Sequence, residues 1–295
     1  MTKTDFSWPD GKKLAISIVV NIEEGSELSI KEGDKKPEPV DELGVALRIP
    51  IRNYINESNY AYGINEGARR VFDLLEAREM DCTVTAAALS LERAPALAAR
   101  IVENGYEVCS HGYRWVHQFS FDEEREREFI SKAATSIEST CGARPQGWLS
   151  RYLHTDNTHR LLLEEGYSYH MDNLSSDLPF WEEVAMTDGS TKPLLCVPYA
   201  IDTNDMKMWT SPSYTPEQWL AYNIQSFDWY LREARELGPR MTSVGLHLRI
   251  IGRPGRIWAL EKFLDHVDQF RDEVWITSRA KIAESFMSAH PFSGG

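Results

Sequence analysis

The chain has 295 residues, which is enough for one large α/β domain or two smaller ones. Hydrophobic residues make up 42% and the formal net charge at pH 7 is −13, so the composition excludes a disordered chain and a basic nucleic-acid-binding surface and argues against binding to anionic membranes. No apolar run approaches the ~20 residues that a membrane-spanning helix needs. The first residues show no signal-peptide pattern. We therefore expect a soluble, cytoplasmic protein with neither a nucleic-acid nor a membrane partner.

The first predicted strand carries the feature on which the functional interpretation depends. Residues 14–22 read Leu-Ala-Ile-Ser-Ile-Val-Val-Asn-Ile, a mainly apolar run that is typical of a strand buried on both faces. Glu23 and Glu24 follow directly, and Gly25 comes next. Because βα barrels and open α/β sheets carry their active sites at the carboxyl ends of parallel strands, the two glutamates are candidate site residues.

Strands and helices alternate along the rest of the chain, which is typical of a mostly parallel sheet. Seven or eight such units in 295 residues favour a closed or nearly closed βα barrel. The absence of a Gly-rich phosphate-binding turn after the first strand argues against an open nucleotide-binding sheet. The predicted strands are 82–86, 106–110, 147–150, 167–172, 194–199, 243–248 and 274–277, and the predicted helices are 65–80, 94–104, 120–140, 156–165, 215–237 and one after Gly255.

A long polar segment separates the first strand from the first predicted helix. It runs from about residue 26 to 62 and contains several tyrosines, which argue against simple disorder. Connections of this length in compact domains are usually functional or disordered. We predict a long loop that covers the substrate or contacts another subunit.

Polar side chains with catalytic potential stand at the ends of three predicted strands. They are the Glu23–Glu24 pair, His111 and His247. In a barrel these side chains converge on one mouth. A carboxylate and an imidazole together supply the general base and the general acid of a hydrolytic reaction.

Five motifs occur in the order of a known family. They are Asn21-Ile-Glu-Glu-Gly25, Ser110-His-Gly-Tyr-Arg-Trp115, Arg144-Pro-Gln-Gly-Trp148, Val197-Pro-Tyr199 together with Asp202-Thr-Asn-Asp-Met206, and Gly245-Leu-His-Leu248. With these motifs the chain resembles the NodB-like polysaccharide deacetylase superfamily, and more closely its cytoplasmic subgroup of cyclic imide hydrolases (imidases) and PuuE-type allantoinases. The resemblance implies one distorted (β/α) TIM-like barrel of seven to eight strands over residues 1–295 and a homotetramer.

The metal-binding pattern of the superfamily is incomplete in this chain. Metal-dependent members have two aspartates where this chain has Glu23 and Glu24, and they have a His-x-x-x-His motif in which Trp115 takes the second position here. His117 is out of register with that motif, and the four cysteines form no Cys-x-x-Cys pair. Hydrolytic metal sites normally hold three protein ligands. We therefore expect no cofactor, and a divalent metal such as zinc is the less favoured alternative.

The resemblance and the side-chain chemistry together predict roles for these residues. Glu23 is the expected base that activates water, and His247 is the expected acid that protonates the departing nitrogen. His111 either polarises the carbonyl group or positions the water, and Glu24 either bonds the ring N–H or orients His111. Trp115 forms an apolar wall against a flat ring or is ordinary core packing. The other substrate-binding candidates, for carbonyl oxygens or the carboxylate formed on ring opening, are Arg151, Tyr199 and Arg249.

The predicted reaction is hydrolysis of an endocyclic C–N bond in a small cyclic amide. We favour a cyclic imide, which opens to a half-amide, because Ile22, Trp115 and Trp148 suggest an apolar pocket. Allantoin carries a ureido arm that needs more hydrogen-bond partners, so allantoinase activity is the second candidate. A metal-dependent N-acetyl sugar deacetylase is the third, and an inactive barrel that binds a small ring or sugar is the fourth.

Overall fold

The computed structural model describes residues 6–42, 44–45 and 49–293. Its strands are β1 Leu14–Ile22, β2 Thr83–Ala86, β3 Glu107–Ser110, β4 Gly147–Trp148, β5 Tyr169–His170, β6 Phe180–Ala185, β7 Thr191–Cys196, β8 Arg240–His247 and β9 Val274–Ile276. They form one sheet in the order β6-β7-β5-β4-β3-β2-β1-β8, and β9 pairs with the first part of β1. The pairs are parallel except for the β6–β7 hairpin.

Helices connect these strands in the βα manner. They are α1 Tyr54–Tyr62, α2 Ala68–Glu76, α3 Ala88–Arg93, α4 Pro95–Glu103, α5 Glu123–Cys141, α6 Thr158–Glu165, α7 Pro216–Leu237, α8 Leu248–Ile251, α9 Pro254–Asp268 and α10 Arg279–Ala289. The sheet and its helices make an α/β half-barrel of mostly parallel strands, so the predicted distorted, TIM-like NodB barrel is confirmed. Among the described residues, no helix is both long and apolar enough to span a bilayer.

The strand β1 pairs with three other strands, β2, β8 and β9, and all of its residues are buried. Alternate side chains enter two different cores: Ile16 and Ile18 belong to the core that includes residues of α2, α4, α7 and α9, whereas Ala15 and Val19 belong to the core on the other face. This division has the two-residue period of a strand buried on both sides. The mainly apolar sequence of β1 therefore matches its burial on both faces.

The register of the sheet brings the ends of separate strands to one level. Ile22 at the end of β1 pairs with Ala86 of β2, and Ala86 pairs with Ser110 of β3. On the other edge of β1, Asn21 pairs with His247. The residues that follow these positions therefore emerge close together at the carboxyl edge of the sheet.

Four local features of the structure differ from the sequence prediction. The predicted loop at 26–62, which is described except for residues 43 and 46–48, contains α1, and a π-helical turn, Gly63–Gly67, joins α1 to α2. Asn65 lies inside this turn and is not the cap of a new helix. The helix α5 begins after Asp122, whose side chain accepts from the backbone N–H of Arg125, and not after Ser120. The antiparallel strand β6 lacks the apolar run by which parallel strands are found, and its burial pattern is mostly intermediate.

The π-helical turn packs directly against the end of β8. A Cβ atom on Gly67 would lie 2.0 Å from the carbonyl oxygen of Leu248, and a Cβ atom on Gly63 would lie 2.3 Å from Oε1 of Glu24. Any side chain at these positions would push the turn away from the strand ends. The two glycines therefore set how closely α1 and α2 approach the candidate site.

We expect Gly67→Ala to lower the free energy of unfolding by at least about 2 kcal/mol, because the added methyl group meets backbone rather than a movable side chain. Gly255→Ala is the matched control, since a Cβ atom there has no neighbour within 4 Å and lies in the first turn of α9. The control should stay within about 1 kcal/mol of the wild type. Chemical denaturation measures both values, and equal stability of the two variants would contradict the packing described.

Candidate active site

A cavity of about 310 Å³ opens at the carboxyl edge of the sheet. It contains the three side chains that the sequence places at strand ends, Glu23, His111 and His247. The other residues that line it are Asn21, Trp115, Leu149, Ser150, Arg151, Tyr152, Met171, Asp172, Leu174, Tyr199, Ile201, Asn204, Met206, Lys207 and Thr210. The predicted convergence of the carboxylate and the two imidazoles is therefore what the structure shows.

Glu23 is 2% exposed and contacts three basic side chains. Its Oε1 lies 3.3 Å from Nε2 of His247 and 3.7 Å from Nε2 of His111, and its Oε2 accepts a 2.8 Å hydrogen bond from Nη1 of Arg249. Burial alone would raise the pKa of Glu23, but the positive charges of His247 and Arg249 outweigh it and hold the pKa well below its ordinary value. Glu23 is therefore an ionised carboxylate that faces the cavity.

His247 is held between two carboxylates. Its Nδ1 lies 2.7 Å from Oδ1 of Asp205, whose Oδ2 also accepts from the backbone N–H of His247 at 2.7 Å. Burial alone would lower the pKa of His247, but Glu23 and Asp205 raise it to about 10. At neutral pH the side chain is an imidazolium that can donate a proton from Nε2.

Asp205 is a site residue that the sequence reasoning missed. It lies within the motif Asp202–Met206, but it lies in a 3-10 helix, Asp205–Met208, and not at a strand end. It is fully buried, and its Oδ2 also accepts from the backbone N–H of Ile251 at 3.2 Å. The available signal was the aspartate itself, which lies in the motif segment Asp202–Met206 although no predicted strand ends there.

Trp115 fixes the state of His111. Its indole Nε1 donates a 3.0 Å hydrogen bond to Nε2 of His111, and Nδ1 of the same imidazole lies 2.6 Å from the carbonyl oxygen of Leu149. An indole N–H only donates and a carbonyl oxygen only accepts, so the proton of His111 is on Nδ1. Neither ring nitrogen of His111 has a free N–H for a substrate carbonyl.

Glu24 and Arg249 lie behind Glu23 and are absent from the cavity lining. Nη1 of Arg249 lies 3.6 Å from Oε1 of Glu24, and its Nε lies 3.1 Å from Oε1 of Glu42 in the 26–62 segment. Burial raises the pKa of Glu24, and the charge of Arg249 offsets this only in part. Glu24 and Arg249 are therefore better placed to hold Glu23 in position than to contact a substrate.

Arg151 lines the cavity, but its guanidinium is already engaged. It forms a buried two-pronged ion pair with Glu38, in which Nη1 lies 3.0 Å from Oε2, and it donates to the carbonyl oxygen of Trp115 at 2.7 Å. Its Cζ lies 3.5 Å from the centroid of the Trp115 ring. Trp115 is thus both a wall of the cavity and part of a packed aromatic and cationic stack.

Tyr199 reaches the cavity with its hydroxyl group held in place. The hydroxyl oxygen accepts from Nδ2 of Asn21 at 3.1 Å and from Nδ2 of Asn204 at 2.9 Å. Burial raises the pKa of Tyr199, so the group keeps its proton. Because both lone pairs are used, the hydroxyl proton remains available as a donor.

The strand-end residues do not fit the hydrolytic metal site that the superfamily implies. The indole of Trp115 cannot serve as a ligand, and its N–H consumes the lone pair of His111 that would face an ion. The guanidinium of Arg249 takes up one oxygen of Glu23. Within the part of the chain that the structure describes, the three-ligand groupings of potential metal ligands lie around His159 and not around Glu23.

Comparison with known proteins places the chain in a family. The profile of the polysaccharide deacetylase family matches residues 58–170. A Schizosaccharomyces pombe protein named as a polysaccharide deacetylase is 31% identical over 97% of this chain and 93% of its own length. The chain belongs to the polysaccharide deacetylase (NodB) family. The predicted superfamily is therefore confirmed, and with it the class of hydrolases.

Two solved structures resemble this member of the family over nearly the whole chain. A probable polysaccharide deacetylase from Pseudomonas aeruginosa PAO1 is 37% identical, with a TM-score of 0.90, and the alignment covers 97% of this chain and 95% of that one. PuuE allantoinase is also 37% identical, with a TM-score of 0.90 and coverage of 97% and 94%. The predicted homotetramer and cytoplasmic location stay predictions.

We expect Asp205→Asn to move the alkaline limb of the pH–activity profile to lower pH. The pKa of about 10 keeps His247 protonated until the pH passes that value, and loss of the neighbouring negative charge should lower the limb by about 1–3 pH units. The pH dependence of kcat/KM measures the limb, and an NMR titration of the His247 imidazole measures the pKa independently of substrate ionisation.

Asp228→Asn is the matched control for this prediction. Asp228 also lies 2.7 Å from a histidine, His266, but this pair is at the surface. The control should leave the alkaline limb unchanged. An unshifted His247 titration in folded Asp205→Asn protein would show that Asp205 does not hold the imidazolium.

Proposed function

We propose that this protein hydrolyses the endocyclic C–N bond of a small cyclic amide and that a cyclic imide is the preferred substrate. The observation that carries the proposal is the 3.3 Å contact between the ionised Glu23 and the protonated His247 inside one cavity. The pair supplies a proton acceptor and a proton donor at the same carbonyl–nitrogen bond. A ring small enough for a cavity of about 310 Å³ can reach both groups.

Glu23, His247 and one water molecule account for every proton transfer in the reaction. Glu23 takes one proton from water as the oxygen bonds to the carbonyl carbon, and His247 gives the Nε2 proton to the ring nitrogen as the C–N bond breaks. The product is a half-amide with a new carboxyl group. The proton on Glu23 can then return to His247 across the 3.3 Å contact, which restores both groups for the next turnover.

Two side chains in the cavity are placed to stabilise the developing oxyanion. The hydroxyl of Tyr199 keeps its proton and has its lone pairs occupied, so it is a donor of fixed position. Lys207 lines the same cavity and brings a positive charge. A preorganised donor of this kind contributes about 10²–10³ to turnover. We assign Tyr199 and Lys207 to the carbonyl oxygen and the new carboxylate, and we assign His111 to positioning rather than to polarising the carbonyl.

We further propose that the strand-end reaction needs no metal ion. The support is chemical: Trp115 occupies the imidazole nitrogen of His111, and Arg249 supplies the positive charge next to Glu23. The guanidinium keeps Glu23 ionised, and the imidazolium of His247 supplies the acid. Glu23 and His247 therefore supply the negative charge of the base and the positive charge of the acid without an ion.

Of the three residues from which the sequence suggested an apolar pocket, one lines the cavity and two do not. Ile22 and Trp148 are fully buried in hydrophobic cores and do not line the cavity, whereas Trp115 does. Five further apolar side chains face the cavity: Leu149, Met171, Leu174, Ile201 and Met206. Several polar neighbours are already engaged, such as Ser150, whose hydroxyl accepts from the indole of Trp148 at 2.8 Å. A flat ring with apolar substituents suits this lining.

Allantoin hydrolysis is the second candidate. The observation that favours it is the 37% identity to PuuE allantoinase over nearly the full length of both chains. Asn204, Asp172 and Lys207 at the cavity are groups that could bind a ureido arm. Both candidate reactions break an endocyclic C–N bond, and the substrates differ in the groups attached to the ring.

We expect Glu23→Gln to lower kcat by at least about 100-fold while substrate binding stays nearly unchanged, because the amide cannot take a proton from water. Glu66→Gln is the control, since Glu66 is exposed and pairs with Arg70 on the surface of the π-helical turn and α2. Steady-state kinetics measure kcat, and calorimetry with unreacted substrate measures binding. Turnover above about a hundredth of the wild-type rate in Glu23→Gln would show that Glu23 is not the base.

The metal-free step is checked on the same enzyme. Protein treated with chelator and then supplied separately with Zn²⁺, Co²⁺ or Mn²⁺ should show the same kcat, because no ion takes part in the chemical step. Glu182 belongs to a separate group of potential metal ligands around His159. A kcat that follows the identity of the ion in the wild type and equally in Glu182→Gln would place a metal at the reacting carbonyl and overturn this part of the proposal.

A panel of six compounds tests the substrate class. Succinimide and phthalimide should give the highest kcat/KM, followed by hydantoin and dihydrouracil, with allantoin low and an N-acetyl chitooligosaccharide inert. Highest activity with allantoin would establish the second candidate instead. Activity with the oligosaccharide alone would show a sugar deacetylase, and no turnover of any compound would show an inactive binding barrel.

A further inference from the structure

A second cluster of potential metal ligands lies beside the cavity and takes no part in the proposed reaction. It consists of His159 in α6, His170 at the end of β5 and Glu182 in β6. His154 and Asp172 lie next to it and form an overlapping group that shares His159. These residues come from separate elements, so the sheet and the helix that covers it bring them together.

The spacing of the ligand atoms is that of a metal site. Nε2 of His170 lies 3.1 Å from Oε2 of Glu182, and Nδ1 of His159 lies 3.4 Å from the same oxygen. Ligands at about 2.0–2.1 Å from a tetrahedral ion are roughly 3.3–3.4 Å from one another. Two imidazoles and one carboxylate are also a known zinc ligand set, which leaves one position open.

Buried polar atoms in the cluster lack the hydrogen bonds that such atoms normally make. His170 is fully buried, yet its Nε2 makes no aligned hydrogen bond among the described residues. The same is true of Nε2 of His159 and Oδ2 of Asp172. An unsatisfied buried polar atom costs about 1–3 kcal/mol. An ion held by His159, His170 and Glu182 would contact Nε2 of His170, whereas His159 would face it through Nδ1 and Asp172 belongs to the overlapping group. Nδ1 of His170 accepts from the backbone N–H of Asp172 at 3.3 Å, so the neutral ring carries its proton on Nε2, facing Glu182, and a bound ion would replace that proton.

We propose that His159, His170 and Glu182 bind a divalent transition metal ion of the zinc type, separate from the catalytic residues. The ligands would be one nitrogen of each imidazole and one carboxylate oxygen of Glu182.

The ion would tie the wall of the cavity to the sheet. Asp172, which follows β5 by two residues, accepts from the backbone N–H of Ser150 at 2.7 Å, and both residues line the cavity. Asn173 donates from Nδ2 to Oε1 of Glu182 at 2.6 Å. The metal site therefore adjoins the segment that forms one side of the cavity but lies outside the set of Glu23, His111 and His247.

Zinc content measures the site directly. Full-length protein stripped with chelator, loaded with Zn²⁺ and passed over a desalting column should retain one ion per chain. Glu182→Gln keeps the shape of the side chain and removes its charge, and we expect it and His159→Ala to bind zinc more than about 100-fold more weakly, since loss even of a supporting residue costs 10–100-fold. Circular dichroism confirms that each variant is folded.

Two controls separate this site from the others in the chain. His266→Ala removes a histidine that pairs with Asp228 and packs against Phe227 and Phe270, away from the cluster, and Glu23→Gln removes the strand-end carboxylate; both should retain the ion. Absence of bound zinc in the wild type, or full retention in Glu182→Gln, would overturn the proposal. Loss in His154→Ala with retention in Glu182→Gln would place the ion on the overlapping group and would also overturn this assignment.

Discussion

Two adjacent, fully buried carboxylates are the constraint on which this structure depends. Moving an ionised carboxylate out of water costs several kcal/mol, and the cost is recovered only when cations and hydrogen bonds surround it. Arg249 contacts Glu23 at 2.8 Å and Glu24 at 3.6 Å. The pKa of Glu23 is low because the charges of His247 and Arg249 outweigh its burial, whereas burial raises the pKa of Glu24 and Arg249 offsets this only in part. The positive charges therefore favour the carboxylate that lines the cavity.

The same constraint explains why the long 26–62 segment is packed against the site. Oε1 of Glu42 lies 3.1 Å from Nε of Arg249, whereas Glu23 contacts Nη1 of the same guanidinium. Arg151 is likewise neutralised by Glu38. The ring of Tyr60 covers Arg249 at 4.3 Å from its Cζ. Breaking one partner of such a buried pair costs about 3–5 kcal/mol, so this part of the segment is bound to the barrel by its charges rather than by apolar contacts alone.

The sequence predicts the elements whose position follows from chain order. Glu23, His111 and His247 each come directly after a short apolar run or end one, and parallel strands have their carboxyl ends at one edge of a sheet. Asp205, Glu38 and Glu42 could not be found in this way, because their place depends on how loops cross over the strand ends. The substrate-contact roles predicted for Arg151 and Arg249 rested on a cation near a motif. The sequence does not show that Glu38 and Glu23 pair with these two guanidinium groups.

Trp115 shows how one side chain changes the chemistry of a whole site. An imidazole at that position would have a lone pair that can bind an ion. The indole has only an N–H, which donates its hydrogen bond to His111. His111 therefore cannot ligate an ion through Nε2, and the positive charge at the cavity must come from elsewhere. Asp205 and Glu23 provide it by keeping His247 protonated, and Arg249 adds a permanent charge. In the cluster around His159, by contrast, Nε2 of His170 and Nδ1 of His159 both face a carboxylate oxygen, Oε2 of Glu182, at 3.1 and 3.4 Å.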